Sequence, residues 1–216
     1  VRTGSLHKVR ALEQWWKMNK AKNFKEFYSI LEMNEIPGYN IGYADRDDNI
    51  FYISNGLIPK RNDKYKWTGV LPGNTSETLW TEYYKTSELP QVINPESGYI
   101  YNANHSPFKS TSLDENPNPK DFATNMGFET FDNNRSTRIF ELVESYDAID
   151  YEAFKTIKYD NKFPTPFNYN FMNINNIMEM SPEKYPEISD IIEQIQKWDR
   201  ITDANSTGAG AYAMFY

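Results

Sequence analysis

The sequence predicts an α+β fold, and three observations carry that reading. Apolar side chains recur at helical spacing near the start, at Phe24, Phe27, Tyr28 and Leu31. Apolar and polar residues then alternate on both sides of a polar run at positions 45–49, the mark of paired strands. Helical spacing returns in the last third, at Ile139, Leu142 and Val143 and again at Ile188, Ile191, Ile192, Ile195 and Trp198. Strands followed by helices, rather than alternating with them, argue for α+β over a doubly wound sheet. The layout divides into helices and antiparallel strands over 1–112, a linker over 113–134 and a mainly helical segment over 135–216.

In chain order, Ser5 is the expected cap of a first helix in which Leu12, Trp15 and Trp16 recur at helical spacing. Asn23 followed by Glu26 reads as a capping-box-like restart, and Pro37-Gly38 ends the helical stretch. Tyr39–Ala44 and residues 50–54 read as the arms of a hairpin around Asp45-Arg46-Asp47-Asp48-Asn49. Gly56, Pro59, Gly69, Pro72 and Gly73 punctuate a long irregular connection, and turns at 89–98 precede a further short strand at 99–102. The Pro/Asn-rich run at 114–120 is a linker; residues 135–146 and 188–198 are amphipathic helices, with Pro186 near the start of the latter. The small, polar stretch 205–210 reads as a loop.

Composition removes several chemistries. The 216 residues contain no Cys, which excludes disulfides, thiolate nucleophiles and Cys-based metal sites, and only His7 and His105, which excludes a multi-histidine metal site. A net charge of -7 argues against binding nucleic acid or an anionic membrane surface. No stretch approaches the roughly 18–20 apolar residues of a membrane span. Hydrophobic residues make up 39%, but sixteen Tyr, thirteen Phe and five Trp supply the burial that a modest aliphatic content lacks.

Two places hold residues suited to chemistry. Asp45, Asp47 and Asn49 alternate like the first ligands of a calcium loop, but Ile50 and Gly56 stand where that motif needs Gly and a bidentate Glu, so a hairpin turn is the better reading. Asn102-Ala103-Asn104-His105-Ser106-Pro107 reads first as a polar surface loop. Its adjacent His105 and Ser106 form no triad, because neighbouring side chains of an extended chain point apart. A buried Asn amide there could donate to a developing oxyanion without changing protonation. Aromatic pairs such as Trp15-Trp16 and Tyr83-Tyr84 fit core and rim positions better than a ligand platform.

The run Tyr39-Asn40-Ile41-Gly42-Tyr43-Ala44-Asp45, then Asn49-Ile50-Phe51-Tyr52, Asn55-Gly56 and Pro59-Lys60-Arg61, resembles the hairpin of the penicillin acylase family. Trp67-Thr68-Gly69, Leu71-Pro72-Gly73, Leu79-Trp80, Leu89-Pro90, Asn94-Pro95, Ser97-Gly98 and Asn102-Ala103-Asn104 continue in that family's order. Trp15, Trp16, Ala21, Asn23, Glu26 and Phe27 fit upstream; Arg135, Arg138-Ile139, Trp198-Asp199-Arg200 and Ser206-Thr207-Gly208-Ala209 fit downstream. The Leu71-to-Trp80 stretch is more similar to the acyl-homoserine-lactone and aculeacin acylase branch than to the penicillin G branch.

The resemblance implies part of a four-layer αββα N-terminal-nucleophile hydrolase sandwich with a helical extension. It also implies a larger, autoproteolytically processed, periplasmic or secreted acylase. The intact protein would cleave the acyl amide of N-acylated small molecules, such as acyl-homoserine lactones (quorum quenching), β-lactam antibiotics or lipopeptides. The family's oxyanion-hole Asn falls on Asn104 and its supporting Arg on Arg135, whereas His105 sits where the family varies and receives no catalytic role. No cofactor is required. Some members hold a structural calcium through an acidic residue near the position of Asp114 and Glu115, and nothing else in the chain supports it. Val1 lacks a nucleophilic atom, so the nucleophile belongs to a partner segment of the same precursor, and this chain alone is expected to be inactive. Two other classes stay open: an aromatic-rich glycan-binding module and a catalytically dead scaffold. A Gly-Ser junction upstream of Val1 in the reading frame would separate them from the enzyme.

Overall fold

The computed structural model describes residues 3–165 and 175–215, which divide into two compact units, Val1–Phe131 and Asp132–Tyr216. Val1, on which the expectation of inactivity rests, lies outside the described residues.

The first unit opens with helix α1 (Ala11–Lys20). Ser5 does not cap it; the helix follows Arg10 without a side-chain cap, and Ser5 belongs to a turn before it. The expected apolar stripe faces outward: Leu12 is 83% exposed and Trp16 65%. The inward residue is Gln14, at 0% exposure. Its Oε1 accepts from the backbone N–H groups of Glu35 (2.7 Å) and Ile36 (3.0 Å), and its Nε2 donates to the carbonyl of Leu31 (3.4 Å). A buried amide with every strong group engaged is tolerated where an unpaired one is not.

Helix α2 (Phe24–Leu31) forms as its spacing predicts. Asn23 Oδ1 accepts from Glu26 N–H at 2.9 Å, and the Glu26 carboxylate reaches back to Lys22 N–H at 2.9 Å. Phe27 and Leu31 enter a core with Ile36, Ile41, Phe51, Ile53, Leu89 and Met126.

Strands β1 (Tyr39–Ala44) and β2 (Ile50–Asn55) form the expected hairpin, in the register Tyr39↔Asn55 to Ala44↔Ile50. The expected strand at 99–102 is absent. The third strand is β3 (Gln91–Ile93), antiparallel to β2, giving the order β1-β2-β3. Alternating Tyr and Ile at 99–102 imitates a strand, yet the segment closes a loop through Tyr101 N–H to the Ser110 carbonyl (2.8 Å). Strand alternation sends Phe51 and Ile53 toward the helices and Tyr52 to the opposite face. The connection from β2 to β3 is irregular, as read. Within it Arg61 lies over the rings of Trp67 and Trp80 and donates to the carbonyls of Asn125 and Met126, fastening those two residues to the connection.

The second unit is helical: α3 (Asn134–Val143), α4 (Tyr151–Lys158), α5 (Asn175–Met178), α6 (Ser189–Gln196) and α7 (Thr207–Phe215). Helices α3 and α6 realise the two predicted amphipathic stretches. Helix α4 was not anticipated, although Asp150 caps it by accepting from Ala153 N–H at 2.8 Å. Helix α7 replaces the expected loop at 205–210. Its small residues look loop-like in sequence, but Tyr212 stacks on Trp198 with ring centroids 5.1 Å apart. That packing, joined by Phe163, Ile177 and Ile195, overrides weak helix propensity.

Candidate oxyanion loop

Tyr52 is buried in the middle strand, on the sheet face opposite the helices. Its hydroxyl donates to Asn40 Oδ1 at 2.9 Å. Burial pushes the phenol above its ordinary range, and the nearby polar side chains of Ser110, Ser54 and Asn102 offset part of that push.

The approach to the loop that carries Asn104 is pinned. Asn94, at φ 47°, donates its N–H to the Ile50 carbonyl (2.9 Å), while its Oδ1 accepts from Ile50 N–H (2.8 Å). Its Nδ2 donates to Asn49 Oδ1 at 3.1 Å. After the turn at Ser97-Gly98, Thr111 Oγ1 donates to the Tyr99 carbonyl (2.8 Å), and Asn116 bonds the backbone of Ser110, Thr111 and Ser112.

At the tip, Ala103, His105 and Ser106 are buried and Asn104 is exposed. Asn104 has φ 54°, a left-handed conformation that Asn tolerates better than most residues, and its N–H donates to Asn102 Oδ1 at 3.1 Å. Backbone geometry alone thus favours Asn there, beside any chemical reason. The His105 ring spans the loop. Nδ1 accepts from Ala103 N–H at 3.1 Å, so Nε2 carries the proton and donates to the Lys109 carbonyl at 2.6 Å. The ring stacks on Tyr101, centroids 5.0 Å apart. Nothing in the sequence signalled this brace, because a histidine whose partners are backbone groups leaves no residue pattern.

Arg135 is exposed in the first turn of α3, where Asn133 and Ser136 form a reciprocal cap. Asn104 belongs to the first unit and Arg135 to the second. Arg138, one turn on, makes a two-pronged bond to Asp160 (2.8 and 2.9 Å), which raises the guanidinium's pKa and lowers that of the carboxyl.

Of the acidic residues weighed for calcium, Asp45 and Glu115 are occupied by protein donors. Partial burial favours the neutral form of Asp45, but bonds from the Tyr43 hydroxyl (2.7 Å), Asn49 and Asp47 N–H outweigh it and lower its pKa. Glu115 accepts from the N–H groups of Glu96 and Ser97, and bonds with Ser97 lead the causes that hold its carboxyl low. Among the described residues no group of three or more His, Asp or Glu is arranged to hold a metal ion, and no helix is long and apolar enough to cross a membrane.

The first unit is thus a mixed one, with helices packed on a three-stranded antiparallel sheet. The chain matches the structure of a thermostable penicillin G acylase from Alcaligenes faecalis with a TM-score of 0.62 and 19% identity, over 93% of this chain and 34% of that one. The sequence model of the penicillin amidase family matches residues 2–216; the chain belongs to that family. It is also 35% identical over 101 residues to penicillin G acylase of Escherichia coli, a match covering 47% of this chain and 12% of that protein. The chain thus spans about a third of its structural relative, and the match reaches about an eighth of the E. coli protein.

Proposed function

We propose that the intact protein is an amide hydrolase acting on N-acylated small molecules, in the periplasm or outside the cell. Its nucleophile is an N-terminal Ser that autoproteolysis exposes in a segment outside these 216 residues. The Ser hydroxyl attacks the acyl carbonyl carbon as its proton passes to its own α-amine. The carbonyl oxygen becomes an oxyanion and accepts a hydrogen bond from the Asn104 amide. Collapse breaks the C–N bond, the proton returns to the leaving amine, and water then hydrolyses the acyl ester. Asn104 needs no protonation change for this, and Arg135 supports its surroundings. The cycle calls for no cofactor.

The observation that carries this reading is an Asn amide held at the exposed tip of a loop whose neighbours are buried, in a chain the penicillin amidase family model matches almost end to end. Preorganised donors of this kind are the usual source of the largest rate gains in acyl transfer. The test is to assay the full-length gene product against acyl-homoserine lactones, penicillin V, penicillin G and an acylated lipopeptide. Turnover of at least one, with a new N-terminal Ser identified by mass spectrometry, supports the proposal. A folded, processed protein that hydrolyses none of them sinks it. The 216-residue chain assayed alone is expected to turn over none.

A further inference from the structure

We propose that His105 is the positioning residue of the oxyanion loop: its neutral imidazole fixes the conformation in which Asn104 presents its amide. This rests on the reading of Asn104 as an oxyanion donor.

Asn104 sits at the tip of the loop. It is exposed, left-handed at φ 54°, and lies between chain arms that Tyr101 N–H joins by its bond to the Ser110 carbonyl. A donor of this kind contributes only if it is already aimed when charge develops. Side chains that bond the loop's backbone add to its rigidity.

His105 is placed to supply it. The ring is 4% exposed and lies flat against Tyr101. One nitrogen holds Ala103 N–H, immediately before Asn104; the other holds the Lys109 carbonyl on the returning arm. The residues on both sides of Asn104 are therefore fixed, Ala103 by donating its N–H to the ring and His105 by carrying the ring itself. The geometry needs an acceptor at Nδ1 and a donor at Nε2, which only the neutral imidazole with its proton on Nε2 supplies. Both nitrogens are committed within the loop, so the role is positioning and not proton transfer.

The two contacts can be separated by substitution. An Asn side chain ends near the place of Nδ1 and can accept from Ala103 N–H. A Gln ends near Nε2 and can donate to the Lys109 carbonyl. Because Ala103 adjoins Asn104, the near contact matters more.

The experiment is a double-mutant cycle in the full-length processed enzyme, using His105→Ala and Asn104→Ala, with melting temperature checked for each. His105→Ala is expected to lower kcat about 10- to 100-fold, the scale of a misplacement near an ångström, with KM within about twofold. His105→Asn should recover most of that loss. In the Asn104→Ala background His105→Ala should change kcat less than about twofold, since a residue acting through Asn104 has nothing left to position. An unchanged kcat for His105→Ala, or an equal loss in both backgrounds, overturns the proposal while leaving Asn104's role intact. Near-normal turnover by Asn104→Ala overturns the oxyanion reading itself. If His105→Ala does not fold, His105→Gln carries the cycle; if neither folds, His105 serves the fold rather than the donor, and the proposal fails.

Discussion

Trp198 lies so close over Gly208 that a Cβ placed on the glycine would stand 2.4 Å from the tryptophan's own Cβ and 2.6 Å from its Cγ. The near atoms belong to the root of a buried side chain, which cannot swing aside. Gly208 is thus the residue that lets α7 dock on Trp198, and it explains why a glycine persists inside a helix.

Gly208→Ala is expected to destabilise the second unit. Alanine would gain up to about 1 kcal/mol of helix propensity, but overpacking of this kind costs about 1–3 kcal/mol. The net sign is unfavourable. A thermal melt of the variant that matches or exceeds the wild type would show that Trp198 shifts at no cost.

Gln14→Leu should destabilise the first unit although it adds an apolar group to a buried position. The N–H groups of Glu35 and Ile36 would lose their acceptor, and each buried orphan costs about 1–3 kcal/mol. Denaturant unfolding of the variant at wild-type midpoint would contradict this.

The hairpin turn should be acid-sensitive and indifferent to calcium. The Asp45 carboxyl is lowered in the folded protein, so its contribution is complete above the unfolded pKa of about 3.9 and disappears as pH falls through the folded value. Its partner Tyr43 moves the other way: burial, then the bond to Asp45, pushes its phenol to about 12. That contribution is present below the unfolded value of about 10 and is lost as pH rises through the folded one. Asp45→Ala should flatten the acid limb of a plot of melting temperature against pH. A calcium-dependent rise in wild-type melting temperature would count against the turn described here.

Asn104→Ala is expected to lower kcat about 10²–10³-fold, roughly 2.7–4 kcal/mol of barrier, with the fold retained. Asn104→Asp should be at least as harmful, because a carboxylate repels the oxyanion. Asn104→Gly is the sharper control, since it keeps the left-handed backbone and removes only the amide. Wild-type turnover in the glycine variant would exclude the amide from the reaction.

Arg135 is expected to couple energetically to Asn104 in the intact enzyme. Arg135→Ala should lower kcat/KM, and a double-mutant cycle with Asn104→Ala should give a non-additive loss. Strict additivity would separate the two residues.

Periodic patterns supported by local chemistry were legible. The hairpin could be read because turn formers and alternation agree, and α2 because its apolar stripe coincides with a side-chain cap. What failed was decided by packing. The Trp15-Trp16 pair signalled a buried face, but the amide of Gln14 took it because two backbone N–H groups needed an acceptor. Helix α7 was missed because its signal is a glycine whose value depends on a tryptophan ten residues earlier. Asn104 was singled out by resemblance and by the chemistry of its amide. The exposure of its side chain, its left-handed backbone and the His105 brace belong to the loop's hydrogen bonding, which no spacing encodes.

Asn94 extends the β2–β3 pairing with a side chain where the strand itself has ended, binding Ile50 from both its backbone and its amide. The clamp limits where the chain can vary in length. Residues added to the irregular stretch between β2 and β3 are absorbed before that clamp and leave the Asn104 loop where it was. A residue gained or lost between Asn94 and Tyr99 comes after it and shifts the whole loop. Natural insertions should therefore accumulate on one side of Asn94 and be purged from the other.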